Sequence, residues 1–86
     1  MTAETTADRI QRLLSALQPT TLDIRDDSRH HAGHAGARDG GHYKITIVAE
    51  AFRGLSPLQR HRLVHDALAP LMSREIHALA IKAGTP

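Results

Sequence analysis

Apolar positions along the chain fall into two periods. Between residues 7 and 17, Ile10, Leu13, Leu14 and Leu17 recur at i, i+3, i+4 and i+7, with Asp8, Arg9, Gln11 and Arg12 between them. This is the stripe of an amphipathic helix, with Thr5 or Thr6 as its cap and Pro19 beyond its end. Over 21–26 the period drops to two, with Leu22 and Ile24 on one side and Asp23 and Arg25 on the other, predicting a half-buried strand. Residues 43–49 (YKITIVA) predict a second strand, Tyr43, Ile45 and Ile47 on one face and Lys44, Thr46 and Val48 on the other.

A turn around Phe52, Arg53 and Gly54 leads into Ser56-Pro57-Leu58-Gln59. Ser at the cap, Pro at the first helical position and Gln three residues after the cap make a strong helix start. Val64, Ala67, Leu68 and Leu71 follow at core spacing. Pro70 ends or kinks this helix, because it lacks an N–H and clashes with the preceding turn. Residues 76–81 (IHALAI) predict a third strand, and apolar character on both faces argues for an interior position or a covered face. The order is α-β-β-α-β, and a crossover between the last two strands makes them parallel. The expected architecture is a single α/β (α+β) domain over 1–86, a three-stranded mixed sheet with helices on one face. Residues 1–6 are expected to be disordered.

Segment 27–42 (DSRHHAGHAGARDGGH) follows neither period and holds four Gly and four His. Stretches of this length without regular structure are functional or disordered in compact domains.

With 86 residues, the chain has room for one small core, built almost wholly from aliphatic side chains because Tyr43 and Phe52 are its only aromatic residues. It has no cysteine, which excludes a disulfide framework, a thiol nucleophile, a zinc ribbon and any iron–sulfur cluster held by four thiolates of this chain alone. No apolar run reaches the length of a membrane span, and MTAETTADRI fits neither a signal nor a transit pattern. A reduced, cytoplasmic setting is the expectation. A net charge of +2 does not by itself indicate a nucleic-acid partner, which calls for a basic stripe. The seven histidines are the unusual feature, since imidazole is both a metal ligand and a proton carrier near neutral pH.

Taken in order, Asp26-Asp27-Ser28, the HAGHAG stretch, HYKITIV, AFRGLSPLQRHRLVHDAL and IHALAIKAGTP resemble a BolA-like protein from about Ile10 to Pro86. The most specific pieces are FxGxxxxxRHRLV, Phe52 to Val64, and IHAL, Ile76 to Leu79. The resemblance implies a fold similar to class II KH domains. It further implies a non-enzymatic partner of monothiol glutaredoxins that shares a bridged [2Fe–2S] cluster, completed by glutathione, in iron–sulfur trafficking or iron regulation. Some members bind DNA as regulators. It also implies two cluster ligands: a histidine of the segment between the first two strands, falling on His31, with His34 in reserve, and the last-strand histidine, His77. Many relatives continue into a further helix after the Thr-Pro, where this sequence stops at Pro86.

Two imidazoles can replace two thiolates on one iron, as in Rieske centres, so a chain without cysteine can still complete such a cluster. Taken on its residues alone, His77 in an apolar strand is a core histidine bonded to backbone, and His31 a solvated histidine; the resemblance makes both ligands. His30 and His42 read as bystanders. His61 and His65, four apart on a helix, could chelate zinc or nickel but lack a third ligand in sequence. His61 is expected to face the core and fix a turn. Arg60, Arg62 and Lys82, with Arg53 and Lys44, form a candidate patch for the alternative role of nucleic-acid-binding regulator. That role lacks a Gly-x-x-Gly clamp, because Gly54 is followed by Leu55-Ser56-Pro57, and it lacks aromatic platforms. Enzymatic function is not expected. There is no phosphate-cradling motif or nucleophile elbow, and Ser28 near His30 and His31 reads as a turn residue.

Overall fold

The computed structural model of the chain describes residues 4–27, 41–72 and 74–86. Helix α1 spans Thr6–Leu14 and continues as a 3-10 turn over Ser15–Leu17. Its start is a capping box: the Asp8 N–H donates to Thr5 Oγ1 at 3.1 Å and the Thr5 N–H to Asp8 Oδ2 at 3.0 Å. Two of the first six residues, Thr5 and Thr6, therefore belong to the helix start. Hydrogen bonding to Thr5, from its backbone N–H foremost and then its side chain, holds the Asp8 carboxyl below its ordinary pKa. Gln18, in the left-handed region at φ 52°, turns the chain toward the sheet ahead of Pro19.

Strands β1 (Thr21–Asp26), β2 (Gly41–Val48) and β3 (Ile76–Gly84) form one sheet in the order β1-β2-β3. β1 and β2 are antiparallel, with Ile24 opposite Ile45 and Leu22 opposite Ile47. β2 and β3 are parallel, as a crossover through helices requires. A 3-10 turn (Glu50–Phe52) and Gly54, at φ +82°, lead to α2 (Pro57–Ala67). The helix start matches its sequence signal: the Gln59 N–H donates to Ser56 Oγ at 3.2 Å and the Ser56 N–H to Gln59 Oε1 at 2.9 Å. Pro70 cannot donate to a carbonyl one turn earlier, and the helix breaks at Leu68 before a last turn, α3 (Ala69–Met72).

All the helices pack on one face of the sheet. Ile10, Leu14, Val64, Leu68 and Leu71 bury themselves against Tyr43, Ile45, Ile47 and Ile76, with Ala49 and Phe52 closing the end. The other face carries Thr21, Asp23 and Arg25, His42, Lys44, Thr46 and Val48, then Ala78, Ala80 and Lys82. Among the described residues no helix is long and apolar enough to cross a membrane.

The sequence expectation for β3 needs correction. It is an edge strand, not an interior one, and its apolar composition has two sources. Leu79 and Ile81 pack toward the core, while Ala78 and Ala80 on the open face are too small to need cover. The pairing also slips once, from Gly41–Ile76 to His42–Ala78. His77 is the extra residue of a β-bulge. The slip lets Ile76 and Leu79, three apart, both turn toward the core, a parity that a regular strand forbids.

Candidate functional site

Alternation turns His77 outward after buried Ile76, and the bulge decides where Leu79 points. In a regular strand the residue after buried Ile76 faces outward and Leu79 follows it outward. With one extra residue inserted, the imidazole of His77 stands exposed while Leu79 returns to the core side. The core position that its apolar neighbours alone suggested for His77 is not the one it takes. Its ring lies 5.3 Å from that of His42, centroid to centroid, with the planes tilted by 37°. His42, set aside as a bystander in the sequence, is half-buried on the open sheet face beside it. Nothing local marks His42, because only the parallel register of β2 and β3 brings the two imidazoles together.

The backbone around the pair is tied down on both sides. The His42 carbonyl accepts the Asp27 N–H at 2.7 Å, and the Gly41 N–H donates to the Glu75 carbonyl at 3.0 Å. Segment 28–40 thus leaves the sheet at Asp27 and rejoins it at Gly41, at the same end that carries His77. Glu75, two residues before His77, anchors this corner: its carboxylate accepts Thr6 Oγ1 at 3.0 Å and pairs with Arg9. Glu75 is a further residue that sequence reasoning missed, because an isolated Glu before a strand gives no sign of its partner on the first helix. His31, the expected second ligand, with His34 and His30, lies outside the described residues.

The remaining histidines lie elsewhere. His61 and His65 have ring centroids 4.6 Å apart on α2. Contrary to expectation, His61 is exposed. Val64 and Leu68 on the same stripe are buried, but no residue of α2 before Val64 belongs to the buried core. There His61 lines a cleft of about 300 Å3 with Pro57, Ile81, Lys82 and Ala83. Among the described residues no three metal-ligating side chains come together.

The candidate basic patch is dispersed by the same geometry. Arg60 is half-buried, donating from Nε to the Leu55 carbonyl at 3.0 Å and from Nη1 to the Ala83 carbonyl at 3.5 Å. Its guanidinium bridges the turn before α2 to the end of β3. Arg53 is paired with Glu50, which lowers the Glu50 carboxyl pKa through the hydrogen bond from Arg53. Arg62 and Lys82 are exposed, and Lys44 lies across from Arg25 on the open sheet face.

Comparison with known proteins places these features in context. A protein-family model described as BolA-like protein matches residues 13–86. BolA-like protein 1 of Mus musculus is 47% identical over 75 residues, covering 87% of this chain and 53% of that protein. The chain thus spans about half the length of that relative. A protein of Vibrio cholerae named DNA-binding transcriptional regulator BolA is 42% identical over 79 residues, covering 91% of this chain and 73% of that one. Among solved structures, BolA1 from Arabidopsis thaliana superposes with a TM-score of 0.84 at 34% identity, covering 98% of this chain and 95% of that chain.

Proposed function

The chain belongs to the BolA-like family, and from that premise we propose that it is a non-enzymatic adaptor that docks on a monothiol glutaredoxin and shares a [2Fe–2S] cluster with it. His77 is one ligand, and His31, or His34 in reserve, is the other. The observation that carries this reading is the exposed His77, raised on a bulge at the sheet end where segment 28–40 leaves and rejoins. The donor chemistry is consistent with it. The chain offers imidazoles and no thiolates, so it can complete a cluster whose thiolates come from a glutaredoxin cysteine and glutathione, but cannot hold one by itself.

Each part of the corner has a role in this reading. The Glu75 carboxylate, fixed by Thr6 and Arg9, holds the start of β3 against α1. The Gly41–Glu75 hydrogen bond holds β2 to the same point, so His77 is presented from a rigid edge. Imidazole binds metal only when deprotonated, which makes ligation by this chain acid-labile and suited to transfer or sensing. When bound, a cluster with two imidazoles on one iron supplies one-electron chemistry at a raised potential.

The test is to mix the chain with cluster-loaded monothiol glutaredoxin and glutathione, then record visible absorption, circular dichroism and gel filtration. A changed cluster spectrum co-eluting with a heterodimer, and lost in His77→Ala, is the expected result. An unchanged spectrum with no complex overturns the reading. A second reading, as a nucleic-acid-binding regulator, is favoured by the name of the Vibrio cholerae relative. Its available cations are Arg62 and Lys82, since Arg60 is committed to backbone carbonyls. It predicts DNA binding that weakens steeply with salt.

A further inference from the structure

We propose that β3 is a self-association strand: its free edge pairs antiparallel with the same edge of a second copy of this chain, in a register centred on Ala80. The inference goes beyond the adaptor role and does not depend on it. It rests first on the backbone groups that the edge leaves open. The Gly84 carbonyl accepts the Ala49 N–H at 3.0 Å, so Gly84 turns toward β2. The Ala83 carbonyl turns the other way and is reached by Arg60 Nη1 at 3.5 Å. Hydrogen-bonding sides alternate along a strand, so Leu79 and Ile81 also present their N–H and C=O groups to the free edge. Among the described residues nothing bonds to these groups. The stretch is bounded by the bulge at His77 and by the Arg60 guanidinium, which covers Ala83.

The cleft beside α2 follows the same edge. Ile81, Lys82 and Ala83 all line it, across from Pro57 and His61, although successive side chains of a strand point to opposite faces. Antiparallel pairing about Ala80 sets Leu79 of each chain opposite Ile81 of the other, two hydrogen-bonded pairs that use all the open groups of both residues. Leu79, apolar and half-buried, then seats at the mouth of the other chain's cleft. Each chain supplies both the knob and the cleft, as a two-fold axis requires, and this self-match selects a second copy over a strand of another protein. On the open face Ala80 meets its counterpart in a close, non-hydrogen-bonded pair, where a small side chain fits, and Lys82 lies opposite Ala78. The two Lys82 are then ~13 Å apart along the strands, beyond the ~8 Å screening length of physiological salt. A register centred on Lys82 would set them face to face. The other edge, β1, carries Asp23, Arg25 and Asp26 and is guarded by their charge, so association stops at two copies. The paired stretch is short, which makes the dimer weak and reversible.

The experiment measures sedimentation of the full chain over about a hundredfold range of concentration, and records intermolecular NOEs in a mixture of 13C-labelled and unlabelled protein. The variants are Ala80→Lys and Ala80→Glu, both at an exposed position of the open face, each checked for fold by its backbone amide spectrum. The expected result is a reversible monomer–dimer equilibrium with NOEs joining Leu79 of one chain to Ile81 of the other. Dimer affinity should fall by roughly fivefold or more in each variant, because like charges then stand directly opposite. It should recover in an equimolar mixture of the two variants, where Lys faces Glu. A chain that stays monomeric throughout, leaving the edge to a strand of another protein, overturns the proposal. So does a dimer indifferent to both variants, or NOEs that join a different surface. None of these outcomes touches the glutaredoxin reading, whose test is the spectrum of the mixed complex.

Discussion

Whether Arg60 clasps the fold or contacts phosphate is decided by a stability measurement. Its Nε donates to the Leu55 carbonyl at 3.0 Å, and its Nη1 reaches the Ala83 carbonyl at 3.5 Å, the outer limit of a hydrogen bond. Only the first is counted. A hydrogen bond from a charged donor contributes about 1.5–3 kcal/mol and a neutral one about 0.5–1.5; because the side chain is only half-buried, a value where the two ranges meet applies, about 1–1.5 kcal/mol. In a domain of this size 1 kcal/mol moves Tm by roughly 4–8 °C. Arg60→Met, which keeps the aliphatic stem, should therefore lower Tm by about 5–10 °C. Arg60→Lys should lose nearly as much, since an ammonium keeps the charge but not the planar fork. The assay is thermal unfolding by circular dichroism, run beside DNA binding at several salt concentrations. If Arg60 contacted phosphate instead, Tm would hold in both variants and the salt slope would drop by about one in Arg60→Met. An unchanged Tm in both variants refutes the structural assignment.

Two further outcomes follow from the caps. Ser56→Ala removes the acceptor for the Gln59 N–H and should cost about 1 kcal/mol, read as a lower midpoint in urea unfolding with an unchanged slope. Asp8 and Glu50 both have carboxyl pKa values lowered by hydrogen bonds of the folded state. A depressed pKa gives stability that is present above the unfolded value and lost as pH falls through the folded one. Tm should thus fall as pH drops below about 4, and Asp8→Asn should flatten part of that fall; a profile identical to the parent's would show that the capping box carries no pH dependence.

What could be foreseen from the sequence was what neighbours in the chain decide. The Ser56-Pro57-Gln59 start, the alternation of β1 and β2 and the break at Pro70 all depend on residues within one turn or one strand, and all appear in the structure. The position of β3 at the sheet edge was not legible. Ala78 and Ala80 count as apolar in a pattern, yet on an open face they demand no cover. The bulge was equally hidden, because the insertion of one residue depends on pairing with β2 rather than on the strand's own sequence. His61 illustrates a third limit. The stripe of Val64 and Leu68 is buried, but the phase alone does not reveal that burial in α2 begins only at Val64. The site combined all three difficulties. His77 could be singled out only through resemblance, and His42 and Glu75 only through contacts made across the fold.

The parallel pairing of β2 with β3 also sets an order of events. It joins residues from opposite sides of the crossover helices, so it closes a longer stretch of chain than the β1–β2 pairing does. Long closures are met late, after local structure has formed. A nascent or partly opened chain can hold α1 and the first two strands and still lack the neighbouring imidazoles. The closeness of His42 and His77 is then a property of the completed fold, and any ligand that binds only that state stabilises it by mass action. Its hold falls on β3, one of the two edge strands of the sheet. In kinetic terms such a ligand acts as a latch: it slows the departure of β3 and leaves the rate at which the hairpin forms unchanged.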